Sequence, residues 1–366
     1  MTGTSKSNAP GANLENGEVK TVLLERLKRW FEQSEENSQF SSRAEDVDFF
    51  CLNSNVGLKR SENQDRTAAL FVNSGGATER SFYCFVLCDG MGGMPDGETA
   101  ASISISTFLE VLILNRKLRP EQRLEDAARS ANLAVRSSVG GGSTLSAVLF
   151  VEDAVYLINV GDSRIYTYSK EEGVRRQTTD DNLKEFAGGS DERLLQFIGM
   201  GDGMRPHIRR VDTHFDLIFL TSDGVHSLSA DLFEQIVQHS PSPTELCYRL
   251  VSTALWTGGR DNASVIGVSN AVQQGRGRDR NGPEIAVWNN KSEMQILWAE
   301  EDWHDQSIHQ PQLRSENLDE KIDDELELIE PDELNLEGGR DNRKRSSKDR
   351  KKKSSDEPKD TFGDFG

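Results

Sequence analysis

The sequence has few of the residues that build disulfide frameworks, zinc sites or membrane spans. Its 366 residues include 4 cysteines and 6 histidines. The cysteines show neither Cys-x-x-Cys spacing nor a nearby paired histidine, so we expect buried thiols in a reducing compartment. The longest apolar runs fall well short of the ~20 residues that a membrane-spanning helix needs. These absences disfavour a secreted protein and an integral membrane protein.

Basic residues are outnumbered as well. The chain has 43 Lys and Arg against 61 Asp and Glu, which gives a formal net charge of -18. Affinity for a nucleic-acid backbone comes from clustered Lys and Arg, and no basic stripe occurs before the far C-terminus. Nucleic acid is therefore not expected as a partner.

Composition divides the chain into four parts. A polar leader, 1–44, contains one short amphipathic helix, which we expect to dock on the chain's own domain because the charges on its polar face are mixed in sign. Residues 45–270 form the folded body. Residues 271–300 contain a Gly/Arg-rich linker and an apolar segment suited to a hairpin. Residues 301–366 form a charged tail of a kind that usually stays solvated and disordered.

The sequence pattern of the folded body is typical of an α+β domain with antiparallel sheets. Short β-rich runs alternate with Gly and Asp turns and with longer periodic helices. The short connections between strands disfavour a purely parallel sheet. We predict strands at Leu145–Phe150, Val155–Val160, Ile165–Tyr168 and Leu217–Leu220, and helices at Glu98–Asn115, Pro120–Ser137, Asp231–His239 and Pro243–Trp256.

Aspartates recur where the predicted strands end. Asp89 and Asp223 each follow a long apolar run, and Asp162 follows a predicted strand. Asp261 immediately precedes a further apolar run. Each position alone is an ordinary turn signal, but together they would bring four carboxylates to the strand ends of one sheet system. Such like charges raise one another's pKa unless hard cations neutralise them, and the absence of His or Cys ligands favours Mg²⁺ or Mn²⁺.

Six short motifs occur along the folded body, and they are Gly57–Asp65, Cys88–Gly93 with Gly97–Ala101, Gly142–Thr144, Asn159–Arg164, Thr221–Val225 and Gly259–Asn262. Their order resembles that of the metal-dependent protein serine/threonine phosphatases, the protein phosphatase 2C-like family. The resemblance covers 49–268, and the Asp-Gly-Met-Gly-Gly form of the second motif resembles bacterial members. It implies a β-sandwich of two antiparallel sheets flanked by helices, a four-layer αββα arrangement, with metals in a cleft at one end.

The same resemblance implies a set of metal ligands. Asp89 would bridge two ions, Gly90 would contribute its backbone carbonyl, and Asp65 would hold metal-bound water. Asp162 is a candidate for a third, weaker metal position. The full set of implied ligands is Asp65, Asp89, Gly90, Asp162, Asp223 and Asp261.

The implied activity is hydrolysis of phosphoserine and phosphothreonine in proteins by a metal-activated water, opposing a Ser/Thr kinase. Two divalent ions, Mn²⁺ or Mg²⁺, can lower the pKa of a water and stabilise charge during in-line displacement. Arg60 and Asp65 would be the catalytic residues, Arg60 by gripping the phosphate with a forked guanidinium. Phosphoprotein substrates, a cognate kinase and a cytoplasmic, bacterial setting are expected, without a membrane span.

Three departures from the family pattern leave a second hypothesis open. Gln64 stands where many members have glutamate, and Met91 where many animal relatives have a histidine proposed as general acid, so no general acid is assigned. Asp181 is followed by asparagine rather than histidine, ahead of a Gly- and Met-rich stretch, 188–204, that resembles a mobile flap. The alternative, suggested by Gln64, Met91 and the long charged tail, is a catalytically weak regulatory module that binds phosphoproteins or kinases.

Tryptophans are concentrated beyond the folded body. Trp288, Trp298 and Trp303 are three of the 5 tryptophans in the chain. Exposed aromatic side chains there would let the tail recruit a protein partner. A hairpin packed on the chain's own domain is an equally weighted interpretation.

Overall fold

Helices and strands alternate through the described residues, which are 22–33, 37–44, 47–73, 81–91, 96–272 and 284–297 of a computed structural model. Within these ranges the strands β1 to β13 are Asn37–Ala44, Val47–Asn55, Asp65–Asn73, Phe82–Asp89, Leu145–Val151, Ala154–Val160, Arg164–Ser169, Gly173–Arg176, His207–Val211, Leu217–Thr221, Ala263–Ser269, Glu284–Trp288 and Glu293–Leu297. The helices α1 to α7 are Val22–Glu32, Gly97–Leu114, Pro120–Ser138, Leu183–Ala187, Asp223–His226, Ala230–Gln238 and Pro243–Trp256.

The strands form two antiparallel sheets. One has six strands in the order β1-β2-β11-β10-β7-β8, and the other has seven in the order β13-β12-β3-β4-β5-β6-β9. Apolar side chains from both sheets meet in one buried cluster between them. The rings of Phe50 and Phe85, one from each sheet, pack edge to face with their centroids 5.2 Å apart. These contacts make the sheets a sandwich.

Helices cover both outer faces of the sandwich. Buried residues of α1, α2 and α3 pack with the seven-stranded sheet, and those of α5, α6 and α7 pack with the six-stranded sheet. By length and composition α2 could cross a membrane, but 78% of it is buried inside the protein. The four-layer αββα arrangement implied by the family resemblance is therefore confirmed.

The predicted strands and helices all occur, and no end is shifted by more than one residue. All four cysteines are free and buried, as expected from their spacing. The first part of the chain differs from the prediction, because β1 belongs to a sheet although it lies inside the expected leader, 1–44. Its sequence is polar apart from Phe40, as suits an edge strand, and it therefore gives little β-signal.

The apolar segment after the linker forms a hairpin on the chain's own domain. Strand β12 pairs with β3 at the edge of the seven-stranded sheet, and β13 pairs with β12. Trp288 is 2% exposed, and its ring lies 5.3 Å from that of Phe50. The idea that Trp288 is an exposed anchor is therefore wrong. Trp298 and Trp303 lie outside the described residues.

Replacing Trp288 with alanine should destabilise the fold strongly, because its indole fills the space between the sheets. We expect the free energy of unfolding to fall by about 3–5 kcal/mol, measured by denaturant unfolding followed by circular dichroism. The matched control is Trp256→Ala, whose side chain is 86% exposed, with an expected change within about 0.5 kcal/mol. Equal effects of the two substitutions would show that the hairpin does not contribute to the core.

Candidate metal centre

The aspartates predicted from sequence come from the same end of the two sheets. Asp65 begins β3 and Asp89 ends β4, and the antiparallel register places them directly opposite each other. Asp223 lies two residues after the end of β10, and Asp261 lies two residues before β11. Asp162 occupies the connection between β6 and β7, which passes from one sheet to the other. Strand register and chain reversals thus gather residues that are distant in sequence.

Close backbone packing brings the Asp223 and Asp261 segments together. A Cβ atom on Gly224 would lie 2.0 Å from the carbonyl oxygen of Asn262 and 3.3 Å from the Cβ of Asp261. Only glycine fits this approach. The Ser222 N–H donates to the Ser264 carbonyl oxygen at 3.1 Å, and the Ser264 N–H donates to the Ser222 hydroxyl at 3.0 Å. This pairing extends the contact between β10 and β11 into the site.

Asn262 fixes the segment that carries Arg60. Its side-chain amide donates to the carbonyl oxygens of Val56 and Glu62, both at 2.9 Å. Its Oδ1 accepts from the Gln64 N–H at 2.9 Å. Sequence analysis assigned no role to this residue, although the Asp-Asn pair of the last motif was the available signal. The side chain of Asn262 therefore joins the first motif to the last.

Asp89 and Gly90 are held by backbone contacts on both sides. The Asp89 N–H donates to the Thr144 hydroxyl at 3.0 Å, and the Thr144 N–H donates to the Asp89 carbonyl oxygen at 2.8 Å. The Gly90 N–H donates to the Gln64 carbonyl oxygen at 3.2 Å. A Cβ atom on Gly90 would lie 2.4 Å from the Gly97 carbonyl oxygen. A larger residue at position 90 would thus displace the segment that follows Asp89.

The carboxylates repel one another in a poorly solvated setting. Burial, opposed in part by the nearby Ser264 and Ser222 hydroxyls, raises the pKa of Asp65 to about 6. Burial, and next the charge of Asp65, raises the pKa of Asp89 well above its ordinary value. Burial, and next the charge of Asp261, raises the pKa of Asp223 to about 8. The cluster consequently resists full ionisation without a counter-charge.

Asp162 shares this property at the edge of the cluster. Burial, and next the charge of Asp180, raises the pKa of Asp162 to about 6. Its turn is tied to the base of the expected flap, since the Gly161 N–H donates to the Asp181 carboxylate at 2.9 Å. The guanidinium of Arg164 forms an ion pair with the Asp180 carboxylate, with Nη2 2.7 Å from Oδ2. The flap and the Asp162 turn are therefore one connected unit.

The side chain of Met91 lies beside the third motif and cannot supply a proton. Its N–H donates to the Gly142 carbonyl oxygen at 3.0 Å, which aligns the second motif with the third. Its thioether sulfur lies 2.9 Å from where a Cβ on Gly142 would be. A thioether carries no acidic proton, so the general acid stays unassigned.

The oxygen atoms of the clustered aspartates are chemically suited to bind a hard cation. Asp65 is 1% exposed, and neither of its carboxylate oxygens has a hydrogen-bond partner of acceptable geometry among the described residues. A buried carboxylate without partners is costly unless a cation compensates it. The donor set contains only oxygen, which suits Mg²⁺ or Mn²⁺.

The cluster is not arranged as a closed metal cage. In the described ranges, no group of three His, Cys, Asp or Glu side chains is arranged to coordinate a metal ion in this conformation. The guanidinium of Arg60 instead donates to Asp261 Oδ2 at 2.7 Å. Interaction with Asp261 is the largest cause that raises the pKa of Arg60. Arg60 therefore supplies positive charge at the edge of the acidic cluster.

Comparison with known proteins agrees with this geometry. Residues 59–254, more than half of the chain, match the sequence profile of the protein phosphatase 2C family. The chain belongs to the protein phosphatase 2C family. The serine/threonine protein phosphatase PstP of Mycobacterium tuberculosis is 28% identical over 239 residues, which cover 59% of this chain and 44% of PstP. The serine/threonine phosphatase stp of Listeria monocytogenes is 24% identical over 221 residues, which cover 53% of this chain and 86% of stp.

Solved structures of the family share the sandwich fold. A bacterial serine phosphatase superposes with a TM-score of 0.52 at 20% identity, and covers 60% of this chain and 96% of its own. The phosphatase MsPP of Mycobacterium smegmatis superposes with a TM-score of 0.50 at 22% identity, and covers 60% and 97%. At these identities the superpositions support the fold alone. The protein phosphatase 2C chain described here spans less than half of PstP.

The raised pKa values predict the pH dependence of the metal-free protein. Folded Asp65 and Asp223 titrate near 6 and 8, whereas an unfolded aspartate titrates near ~3.9. The folded state therefore holds more protons than the unfolded state in this range, and its stability should fall as the pH rises from about 5 to about 8.5. Thermal unfolding in excess chelator, followed by circular dichroism, measures the fall.

Two variants distinguish the contribution of the acidic cluster to the pH dependence of stability from that of other titrating groups. Asp223→Asn should flatten the pH dependence, because it removes a carboxylate whose pKa is raised to about 8 in the folded state. Asp153→Asn should leave it intact, because Asp153 is exposed in the turn between β5 and β6. A melting temperature in chelator that rises over this pH range, or equal slopes for the two variants, would contradict the electrostatic account.

Proposed function

We propose that the protein removes phosphate from phosphoserine and phosphothreonine in proteins, using two divalent cations, Mn²⁺ or Mg²⁺. The observation that carries this proposal is the buried carboxylate of Asp65, which lies directly opposite Asp89 and has no hydrogen-bond partner of acceptable geometry among the described residues, in a chain of the protein phosphatase 2C family. The proposed ligands are Asp65, Asp89, the Gly90 carbonyl, Asp223 and Asp261, with Asp162 at a third, weaker position.

The residues of the chain divide the work between binding charge and orienting substrate. When bound, the cations would supply an activated water and neutralise charge on the phosphate. Asp65 is the candidate to orient that water, because its buried oxygens accept no hydrogen bond of acceptable geometry from the described residues. Arg60 uses one terminal nitrogen for Asp261, and its other N–H groups make no hydrogen bond with the described residues. Those remaining donors are suited to phosphate oxygens.

The cellular role is proposed from the relatives. PstP and stp are named as serine/threonine phosphatases, which supports phosphoproteins as substrates here. A phosphatase of this class would oppose a Ser/Thr kinase, so we propose a cognate kinase as a functional partner. The four free, buried cysteines are consistent with a reducing, cytoplasmic setting.

The ion pair between Arg60 and Asp261 supports a second candidate function. A carboxylate already held by a guanidinium at 2.7 Å is a weaker metal ligand until that bond is released. If release does not occur, the site would recognise phosphate through Arg60 without turning it over. The protein would then be a regulatory module that binds phosphoproteins or kinases.

Phosphate release from a phosphothreonine peptide decides between these functions. We expect turnover with Mn²⁺ and loss of turnover with excess chelator. Asp89→Asn should lower kcat/KM by at least ~10³-fold, about 4 kcal/mol of transition-state stabilisation, because it removes the charge that would hold both cations. Asp212→Asn, a distant exposed carboxylate, should retain wild-type activity.

The opposite results would favour the binding module. Peptide binding without phosphate release, at saturating Mn²⁺ shown by calorimetry to be bound, would exclude the phosphatase function. Full activity of Asp89→Asn would remove Asp89 from the site.

A further inference from the structure

A buried arginine lies directly beside the candidate metal centre. The side chain of Arg66 is 2% exposed and follows Asp65 in β3. Its Nη1 donates to the backbone carbonyl oxygens of Asn63 and Asp65, at 2.8 and 2.9 Å. Its Nη2 pairs with Glu98 in the first turn of α2. Arg66 therefore grips the backbone that presents the Asp65 carboxylate.

The other side of the same guanidinium reaches the N-terminal helix. Arg66 Nε donates to the Phe31 carbonyl oxygen at 2.8 Å and to the Ser102 hydroxyl at 3.0 Å. Phe31 lies in the last turn of α1, where helix carbonyls lack partners within the helix and favour a cation. The α1 C-terminus and the Asp65 segment are thus joined through one side chain.

A buried acid holds the opposite end of α1. Glu110 in α2 is 6% exposed, and the Leu24 N–H in the first turn of α1 donates to its carboxylate. Burial raises the pKa of Glu110 to about 7, and the hydrogen bond from the Leu24 N–H opposes this rise. Between the two ends, Leu23, Leu27 and Phe31 are buried in the cluster shared with α2 and β3. Polar contacts at both ends and apolar contacts along one face fix the position of α1.

We propose that α1 is a positioning element of the metal centre, acting through Arg66 on the Asp65 segment. This inference rests on the proposed function, and it adds a region that the family match, 59–254, does not include. Displacement of α1 removes the Phe31 acceptor and opens the guanidinium to water. The guanidinium of Arg66 then holds the Asn63 and Asp65 carbonyls less rigidly. The Asp65 carboxylate is therefore less well positioned to bind the divalent cation.

The test displaces α1 in the full-length chain without touching any proposed ligand. Leu27→Glu places a charge on the buried face, since Leu27 is 0% exposed. Val22→Glu on the same helix is the matched control, since Val22 is 69% exposed. Hydrogen–deuterium exchange of residues 22–33 reports displacement of the helix, and calorimetry measures the Kd for Mn²⁺.

Leu27→Glu should speed exchange in α1 and at 63–66, and should raise the Kd for Mn²⁺ about tenfold, the effect of one lost hydrogen bond to a charged group. At saturating Mn²⁺ the KM for a phosphothreonine peptide should change less than twofold. Val22→Glu should match wild type in each measurement. If Leu27→Glu fails to fold, Leu27→Ala should change the same quantities in the same direction by a smaller factor.

A double mutant shows whether the effect passes through Arg66. Arg66→Lys keeps the charge but loses the fork, and should weaken Mn²⁺ binding alone. Combined with Leu27→Glu it should weaken binding no further, because both changes remove one linkage.

Two results would overturn the inference. One is faster exchange in α1 with a Kd for Mn²⁺ within twofold of wild type. The other is full additivity in the double mutant. Absence of Mn²⁺ binding by the wild-type protein would instead defeat the proposed function, and the inference with it.

Discussion

Repulsion among buried carboxylates is the constraint on which the site depends. Asp65 and Asp89 face each other across two strands, and their pKa values are raised mainly by burial. Burial also raises the pKa of Asp223, at the end of the other sheet. A fold that keeps such groups close loses stability unless positive charge compensates them. Divalent cations satisfy this requirement with oxygen ligands alone.

The sandwich supplies the rigid frame that such crowding needs. Hydrogen-bonded strands fix the position of Asp89 through Thr144, and Asn262 joins the first motif to the last. Glycines at 90 and 224 allow backbone approaches that any side chain would block. Hydrogen bonds and close backbone packing therefore fix the shape of the site, while the carboxylates supply the charge.

The sequence allowed most of the fold to be predicted, because long apolar runs and turn residues mark the central strands and helices. It did not reveal β1, whose polar composition is that of an exposed edge. It also left Trp288 ambiguous, since an apolar hairpin has the same pattern whether it packs on its own domain or on a partner. Pairing with β3 decides that question only in three dimensions.

Motif order predicted which aspartates lie close together, but not how they are supported. Arg66 gave no signal, because its role depends on acceptors 35 residues upstream and 36 residues downstream. The pairing of Arg60 with Asp261 spans 201 residues and is equally invisible in the sequence. Long-range contacts of this kind follow from topology rather than from local pattern.

Anomalous diffraction from crystals grown with Mn²⁺ tests the central claim most directly. The account predicts two strong manganese peaks within coordination distance, ~2.0–2.6 Å, of carboxylate oxygens of Asp89, with Asp261 released from Arg60. An absence of peaks at this cluster, with the Arg60–Asp261 ion pair intact in Mn²⁺, would contradict it.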